Sequence, residues 1–159
     1  MSRPSSRTDK EWNRKTAARL FNATWDLLEK KHRTKDEVDT MIHMAHASRY
    51  HWGVAGGPTQ IAIGEWQISR VYAVLGRPEP ALYHAERCLE VCQAHGIEDF
   101  PLAYAYEALA RAFAIAGKMK PSAASLKLAT AAGERIREDE DRALFFKDLR
   151  TVPRVRKRP

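Results

Sequence analysis

Three histidines and one glutamate have the types and spacing that come nearest to a metal site in this chain. His43 and His46 lie three residues apart, His51 follows them, and Glu65 comes after a glycine-rich segment. Two histidines at this spacing share one face of a helix and can hold one metal ion. The sequence has no matching Glu-x-x-His on a second helix. A metal-dependent enzyme that uses His43, His46 and Glu65 is therefore the alternative interpretation.

Other catalytic patterns are missing from the sequence. No Gly-x-Ser-x-Gly motif occurs, and the glycines at 53–57 lack the Gly-Lys-Ser/Thr ending of a phosphate-binding loop. Cys88 and Cys92 are one helical turn apart, where a disulfide would conflict with helix geometry, so they are expected to be buried free thiols rather than redox or metal ligands. We therefore predict no enzyme activity and no cofactor.

The net charge of +7 is concentrated at the two ends of the chain. Residues 1–10 carry +2 and residues 150–159 carry +5, whereas residues 11–149 have 19 basic and 19 acidic side chains. A folded nucleic-acid module normally carries its basic patch on the fold itself. The C-terminal segment is expected to give weak, nonspecific anion binding, and a nucleic-acid accessory protein that acts through its basic ends stays an alternative.

The elements that must position these residues repeat along the chain. Six residues of one unit match six residues of the next in size and polarity, at an offset of 41. They are residues 62, 68, 72, 76, 81 and 88, which correspond to residues 103, 109, 113, 117, 122 and 129. A fixed offset of this kind is typical of a helical repeat array. Gly76 and Gly117 stand where each helix pair turns, and glycine readily takes the left-handed conformation that ends a helix.

The pattern predicts one all-α domain over residues 9–149. Its helix pairs are expected at about 12–52, 59–95 and 100–137, with a capping helix at 139–149 and disordered ends at 1–8 and 150–159. The first helix is expected to begin at a cap on Thr8 or Asp9 and to run to about His32, and the segment 53–58 is expected to be the longest internal loop. Trp12, Ala123 and Leu144 are placed on buried faces.

The second unit carries Ile68, Tyr72, Gly76 and Ala81, and the third carries the corresponding residues Leu109, Phe113, Gly117 and Ser122. In this order of large apolar, aromatic, glycine and small residues, the chain resembles the tetratricopeptide repeat (TPR) family, in a long variant with a period near 41. The resemblance implies a right-handed array of three antiparallel helix pairs, with a concave groove lined by the first helix of each pair.

The offset aligns three rows of residues in that predicted groove: Asn22, Ile63 and Tyr104; Trp25, Trp66 and Glu107; Glu29, Arg70 and Arg111. Aromatic and arginine side chains are frequent binding anchors, and two arginines can hold the carboxylate of a bound peptide. The structural alternative is that the two tryptophans fill the interface between adjacent helices and that Arg70 forms an ion pair with Glu107.

The combined prediction is a non-catalytic protein-protein interaction module that binds a peptide or a partner subunit in its groove. A homodimer formed through the same apolar surface is a further possibility. The sequence begins without an apolar leader and has no apolar run of 18 residues, so a cytoplasmic protein without membrane insertion is expected.

Overall fold

The computed structural model of this protein describes residues 6–154. This part of the chain forms seven α-helices and contains no strand. The helices are α1 (Arg7–Leu28), α2 (Lys35–Ala55), α3 (Pro58–Val74), α4 (Pro78–Ala94), α5 (Asp99–Ile115), α6 (Met119–Gly133) and α7 (Asp139–Leu149). The all-α class predicted from the sequence is confirmed.

Consecutive helices pack against one another, most closely as the pairs α1–α2, α3–α4 and α5–α6. The first helices of the pairs also touch, α1 with α3 and α3 with α5, while α7 packs on α5 and α6. Because α3 and α5 each have neighbours on several sides, alanine, glycine and serine supply many of their buried positions. Within residues 6–154, no helix is both long enough and apolar enough to span a membrane.

Helix α1 begins earlier and ends earlier than the sequence pattern predicts. Ser6, rather than Thr8 or Asp9, is the N-cap residue: its hydroxyl accepts from the backbone N–H of Asp9, and the Asp9 carboxylate accepts from the N–H of Ser6, both at 3.0 Å. This capping box satisfies two amides that the first turn leaves free. At the other end the helix stops at Leu28, where Arg33 donates to the Leu27 carbonyl. A second capping box, formed by Thr34 and Glu37, is present at the start of α2.

The glycine-rich segment is not the long loop that the sequence predicts. Helix α2 continues through Gly53 to Ala55, and only Gly56 and Gly57 separate it from α3. The side chain of Arg49 packs close to glycines of both helices. A methyl group at Gly53 would lie 3.1 Å from the Arg49 guanidinium, and one at Gly64 would lie 3.0 Å from Arg49 Cδ. Both glycines therefore leave space for this side chain.

Gly76 and Gly117 occupy equivalent corners, as predicted. Their φ angles are 68° and 74°, and each ends its helix with the same pair of backbone hydrogen bonds. Arg77 donates to the Tyr72 carbonyl at 2.9 Å, and Lys118 donates to the Phe113 carbonyl at 2.9 Å. This is the Schellman arrangement, in which a residue with positive φ lets the following amide reach back to the last turn.

A buried serine ties the two helices of a pair together at each of these corners. In the second pair, Ser69 of α3 donates to the Ala81 carbonyl of α4 at 2.8 Å. In the third pair, Ser122 of α6 donates to the Ala110 carbonyl of α5 at 2.8 Å. Because 69 corresponds to 110 and 81 to 122, the two pairs make the same hydrogen bond with the donor on opposite helices.

Helix α7 covers the end of the third pair, as predicted, through Phe145 and Leu149. Phe145 is fully buried and lies against Gly133, where an added methyl group would overlap the ring. Three expected core positions are wrong: Trp12 and Leu144 are 60% and 54% exposed, and Ala123 is also exposed. Each lies on a terminal helix or the last pair, where no further helix packs on the outward face.

Candidate functional site

A cavity of about 620 Å³ lies between the first helices of the three pairs and α7. Its lining comes from α1 and its C-cap, α3, α4, α5 and α7: Phe21, Trp25, Glu29, Ile63, Trp66, Cys88, Phe100, Pro101, Tyr104, Asp141, Leu144, Lys147 and Asp148. Trp66, Cys88 and Pro101 are buried and form the floor, whereas Glu29, Asp141, Leu144 and Lys147 are exposed and surround the mouth. Concave apolar sites of 300–1,000 Å³ with a few polar groups are typical of ligand binding.

Aromatic rings form a continuous row along one wall of this cavity. The ring centroids of Trp25 and Trp66 are 5.5 Å apart, and those of Trp66 and Tyr104 are 4.9 Å apart. Tyr104 then meets Phe145 of α7 edge to face at 5.0 Å. Aromatic pairs at these separations stabilise each other beyond their buried area. The row therefore presents an apolar wall contributed by α1, α3 and α5, and the buried Phe145 of α7 packs against the last ring of that wall.

The carboxylate of Glu107 lies beneath this row and is almost completely buried, with 1% of its side chain exposed. It accepts from Arg70 at 3.1 Å, from Arg111 Nε at 2.7 Å and from Trp66 Nε1 at 3.3 Å. Both arginine side chains are only 12% exposed. A buried charge is tolerated when it is paired and hydrogen-bonded, so this carboxylate is held by two cations and an indole donor.

The second carboxylate of the network comes from α7. Asp148 accepts from the Tyr104 hydroxyl at 2.7 Å and lies 3.8 Å from Arg70. Arg111 donates to the Asp148 carbonyl at 3.2 Å and to the Thr151 hydroxyl at 2.8 Å. Two arginines thus face two carboxylates, and the network attaches the C-terminal end of α7 to α3 and α5.

Burial shifts the ionisation of two members of this network. It raises the pKa of Tyr104, and the hydrogen bond to Asp148 adds to the shift because it keeps the phenol proton in place. Burial also lowers the pKa of Arg111, while the Glu107 carboxylate opposes that shift. Tyr104 is therefore a neutral donor in the cavity wall at physiological pH.

The structure leaves Asn22, one of the nine residues aligned in the predicted groove, exposed outside the cavity lining, and it divides the other eight into two groups. Five of them line the cavity: Trp25, Glu29, Ile63, Trp66 and Tyr104. The other three, Arg70, Glu107 and Arg111, form the buried network instead. The ion pair between Arg70 and Glu107, which the sequence offered as the structural alternative, is present. The arginines are bonded to carboxylates of their own chain, so a partner's carboxylate would have to displace Glu107 or Asp148.

The predicted histidine cluster does not assemble into a metal site. Across residues 6–154, no group of three or more histidine, cysteine, aspartate or glutamate side chains is placed to hold a metal ion. His43 is exposed, His46 bonds to the Tyr72 hydroxyl at 2.9 Å, and His51 bonds to Asn13 at 2.6 Å. Within the described residues, His43, His46 and Glu65 are therefore not placed together as the ligands of one metal ion.

Glu65 pairs instead with a histidine that the sequence reasoning did not connect to it. Its carboxylate accepts from Arg49 Nε at 2.9 Å and contacts Nδ1 of His84 at 2.6 Å. Burial raises the pKa of Glu65, but the contacts with His84 and Arg49 outweigh burial and leave it below the usual value. This cluster joins α2, α3 and α4, and it lies outside the cavity lining.

The two cysteines are buried and unoxidised, as expected. Contact with Cys92 and burial both raise the pKa of Cys88 well above that of a free thiol. The Cys88 thiol therefore stays protonated at neutral pH, which does not favour a nucleophilic role on the cavity floor.

The predicted disordered ends are partly folded. Thr8 lies inside α1, and Val152 beyond α7 is 3% exposed, with Arg111 bonded to the adjacent Thr151. Residues 1–5 and 155–159, which include most of the basic C-terminal segment, lie outside the described residues. The prediction of anion binding by that segment stays a prediction.

Several cavity residues were missed by the sequence reasoning. Asp141, Lys147 and Asp148 belong to a helix that was predicted only as an end cap, and Phe100 was predicted only as a possible start of α5. Nothing in the 41-residue offset signals them, because α7 has no counterpart in the earlier units.

A search of protein-family models, of curated proteins and of solved structures found no significant match to this chain.

Proposed function

We propose that this protein is a non-catalytic protein-protein interaction module that holds a segment of a partner in the aromatic cavity. In this proposal the three helix pairs form a right-handed TPR-like array, and the first helices supply the wall of the binding site. The observation that carries the proposal is the cavity itself, since five residues aligned by the 41-residue offset line it.

The chemistry of the lining supports binding rather than catalysis. The carboxylate of Asp148 is bonded to Tyr104, the phenol proton of Tyr104 is held by that bond, and the thiol of Cys88 is protonated. General acid-base catalysis needs a group that exchanges its proton near the working pH. The aromatic walls, by contrast, are of the type that dominates interface energies.

The mouth of the cavity supports a protein partner rather than a fully enclosed small ligand. Leu144 is 54% exposed at the rim, so an apolar contact surface extends beyond the cavity onto the outer face of α7. A partner segment that inserts a side chain into the cavity would cover this leucine as well. An apolar centre surrounded by charged groups is the usual layout of such an interface.

Leu144 and Leu128 provide a matched pair of substitutions that tests the proposal. They are 54% and 52% exposed, both lie on helices, and only Leu144 lines the cavity. We expect partners that co-purify with the protein from its own cells to be depleted several-fold by Leu144→Gln or Trp25→Ala, and to be unaffected by Leu128→Gln. Circular dichroism would establish that each variant keeps its helices.

Equal recovery of every partner by all the variants would contradict the assignment of this cavity. Substitution of Arg70 or Arg111 is a poorer test, because those side chains attach α7 and their loss would change the fold together with the site.

A further inference from the structure

We infer that the partner segment carries an uncharged apolar side chain flanked by basic residues. This inference rests on the proposed function, and it concerns the chemistry of the occupant. It follows from a difference between the interior of the cavity, where every ionised group is already bonded, and its mouth, where carboxylates remain free.

The interior has no free partner for a charge. Asp148 is the carboxylate nearest the floor, and its oxygens contact the Tyr104 hydroxyl at 2.7 Å and Arg70 at 3.8 Å. The remaining inner walls are aromatic and aliphatic side chains, Pro101 and the protonated Cys88 thiol. An ionised group that entered this space would lose water without gaining a counter-ion, which is strongly unfavourable. The group that enters must therefore be apolar.

The mouth carries an excess of negative charge. Two carboxylates line it, Glu29 directly after α1 and Asp141 in the first turn of α7, and neither forms an ion pair within residues 6–154. Lys147 is the only basic residue of the lining. A lysine or arginine next to the inserted side chain would meet these carboxylates without leaving water.

Three nonapeptides test the inference directly. They have the sequence Gly-Ser-X-Leu-Phe-Leu-X-Ser-Gly, in which X is lysine, glutamine or glutamate, and each carries a fluorescent label for anisotropy measurements. Exposed ion pairs are weak, so the peptide with two lysines should bind about twofold to thirtyfold more tightly than the peptide with two glutamines at low salt. The glutamate peptide should bind more weakly than either, and added salt should reduce the differences.

Paired variants of the protein assign the preference to the mouth. Replacing Glu29 by glutamine together with Asp141 by asparagine should remove the preference for the lysine peptide over the glutamine peptide. The control variant replaces Glu79 and Glu86, two exposed glutamates of α4 that lie outside the lining, by glutamine. It should keep the full preference.

The outcomes separate this inference from the proposed function. Equal binding of the three peptides, or tighter binding of the glutamate peptide, would overturn the inference and leave the cavity as a binding site. A lysine preference that survives in the Glu29→Gln, Asp141→Asn variant would also overturn it. Absence of binding by all three peptides at millimolar concentration would overturn both the inference and the proposed function.

Discussion

Replacing Glu107 by glutamine should destabilise the protein more than any other single change of charge in the described part of the chain. The substitution keeps the shape of the side chain but removes the negative charge that lies between two arginines. Those arginines are 12% exposed, so water cannot solvate them fully once the carboxylate is gone. Only Asp148, which is 3.8 Å from Arg70, would remain to compensate them.

The size of the effect follows from the burial of the network. Removing one partner of a buried ion pair typically costs about 3–5 kcal/mol, because the other partner is left uncompensated. The amide oxygen of glutamine still accepts one hydrogen bond, so we expect a value near the lower end, about 3 kcal/mol. For a chain of this length, that loss corresponds to a fall of roughly 6–12 °C in Tm.

Urea unfolding followed by circular dichroism would measure the loss. Glu11→Gln is the matched control, because Glu11 pairs with Lys15 at 2.8 Å on the exposed surface, and its loss should leave the free energy of unfolding nearly unchanged. A loss below about 1 kcal/mol for Glu107→Gln would refute the reasoning.

A double-mutant cycle would then test the cause. If the uncompensated arginines are responsible, Arg70→Met should destabilise the Glu107→Gln variant less than it destabilises the natural protein. Additive effects of the two substitutions would show that Arg70 and Glu107 act independently.

Three other predictions follow from positions described above. Gly117→Ala should cost about 1–2 kcal/mol, because its φ of 74° is unfavourable for a residue with Cβ although no atom stands in the way of the methyl group, and unfolding in urea would measure it. Gly133→Ala should cost about 1–3 kcal/mol by collision with Phe145, and less in a Phe145→Leu background. Glu65→Gln should lower the free energy of unfolding at pH 7. Because the pKa of Glu65 is lowered on folding from about 4.5, the difference from the natural protein should shrink as pH falls through the folded value, and a constant difference from pH 7 to pH 3 would contradict this.

The repeat made most of the helical architecture predictable from the sequence. Gly76 and Gly117 mark the two corners, and their shared offset predicts where α3 to α6 lie. The continuation of α2 through Gly53 was not predictable in this way. A glycine in a helix is unfavourable by itself, and the closeness of the Arg49 side chain, which leaves little room for a Cβ at Gly53, depends on tertiary packing.

The candidate site was predictable only in the part that repeats. As the offset implies, the first helices of the pairs contribute matched residues to the cavity. These are Ile63 and Tyr104, which share a row, and Trp66, which is aligned with Trp25. Asp148 was not predictable, because its position depends on where α7 docks, and no earlier unit has an equivalent helix. The pairing of Glu65 with His84 was not predictable for a similar reason. The two residues are brought together by the packing of α3 on α4, and neither belongs to a recognisable motif.

Ser69 and Ser122 limit which helices of the second and third pairs can be recombined. A hybrid that joined α5 to α4 would bring Ala110 against Ala81 and have no hydroxyl at that crossing, whereas one that joined α3 to α6 would bring Ser69 against Ser122 and have two. The units resemble each other as whole hairpins but are not assembled from interchangeable single helices. Duplicating or transplanting part of this protein should therefore be done one complete hairpin at a time.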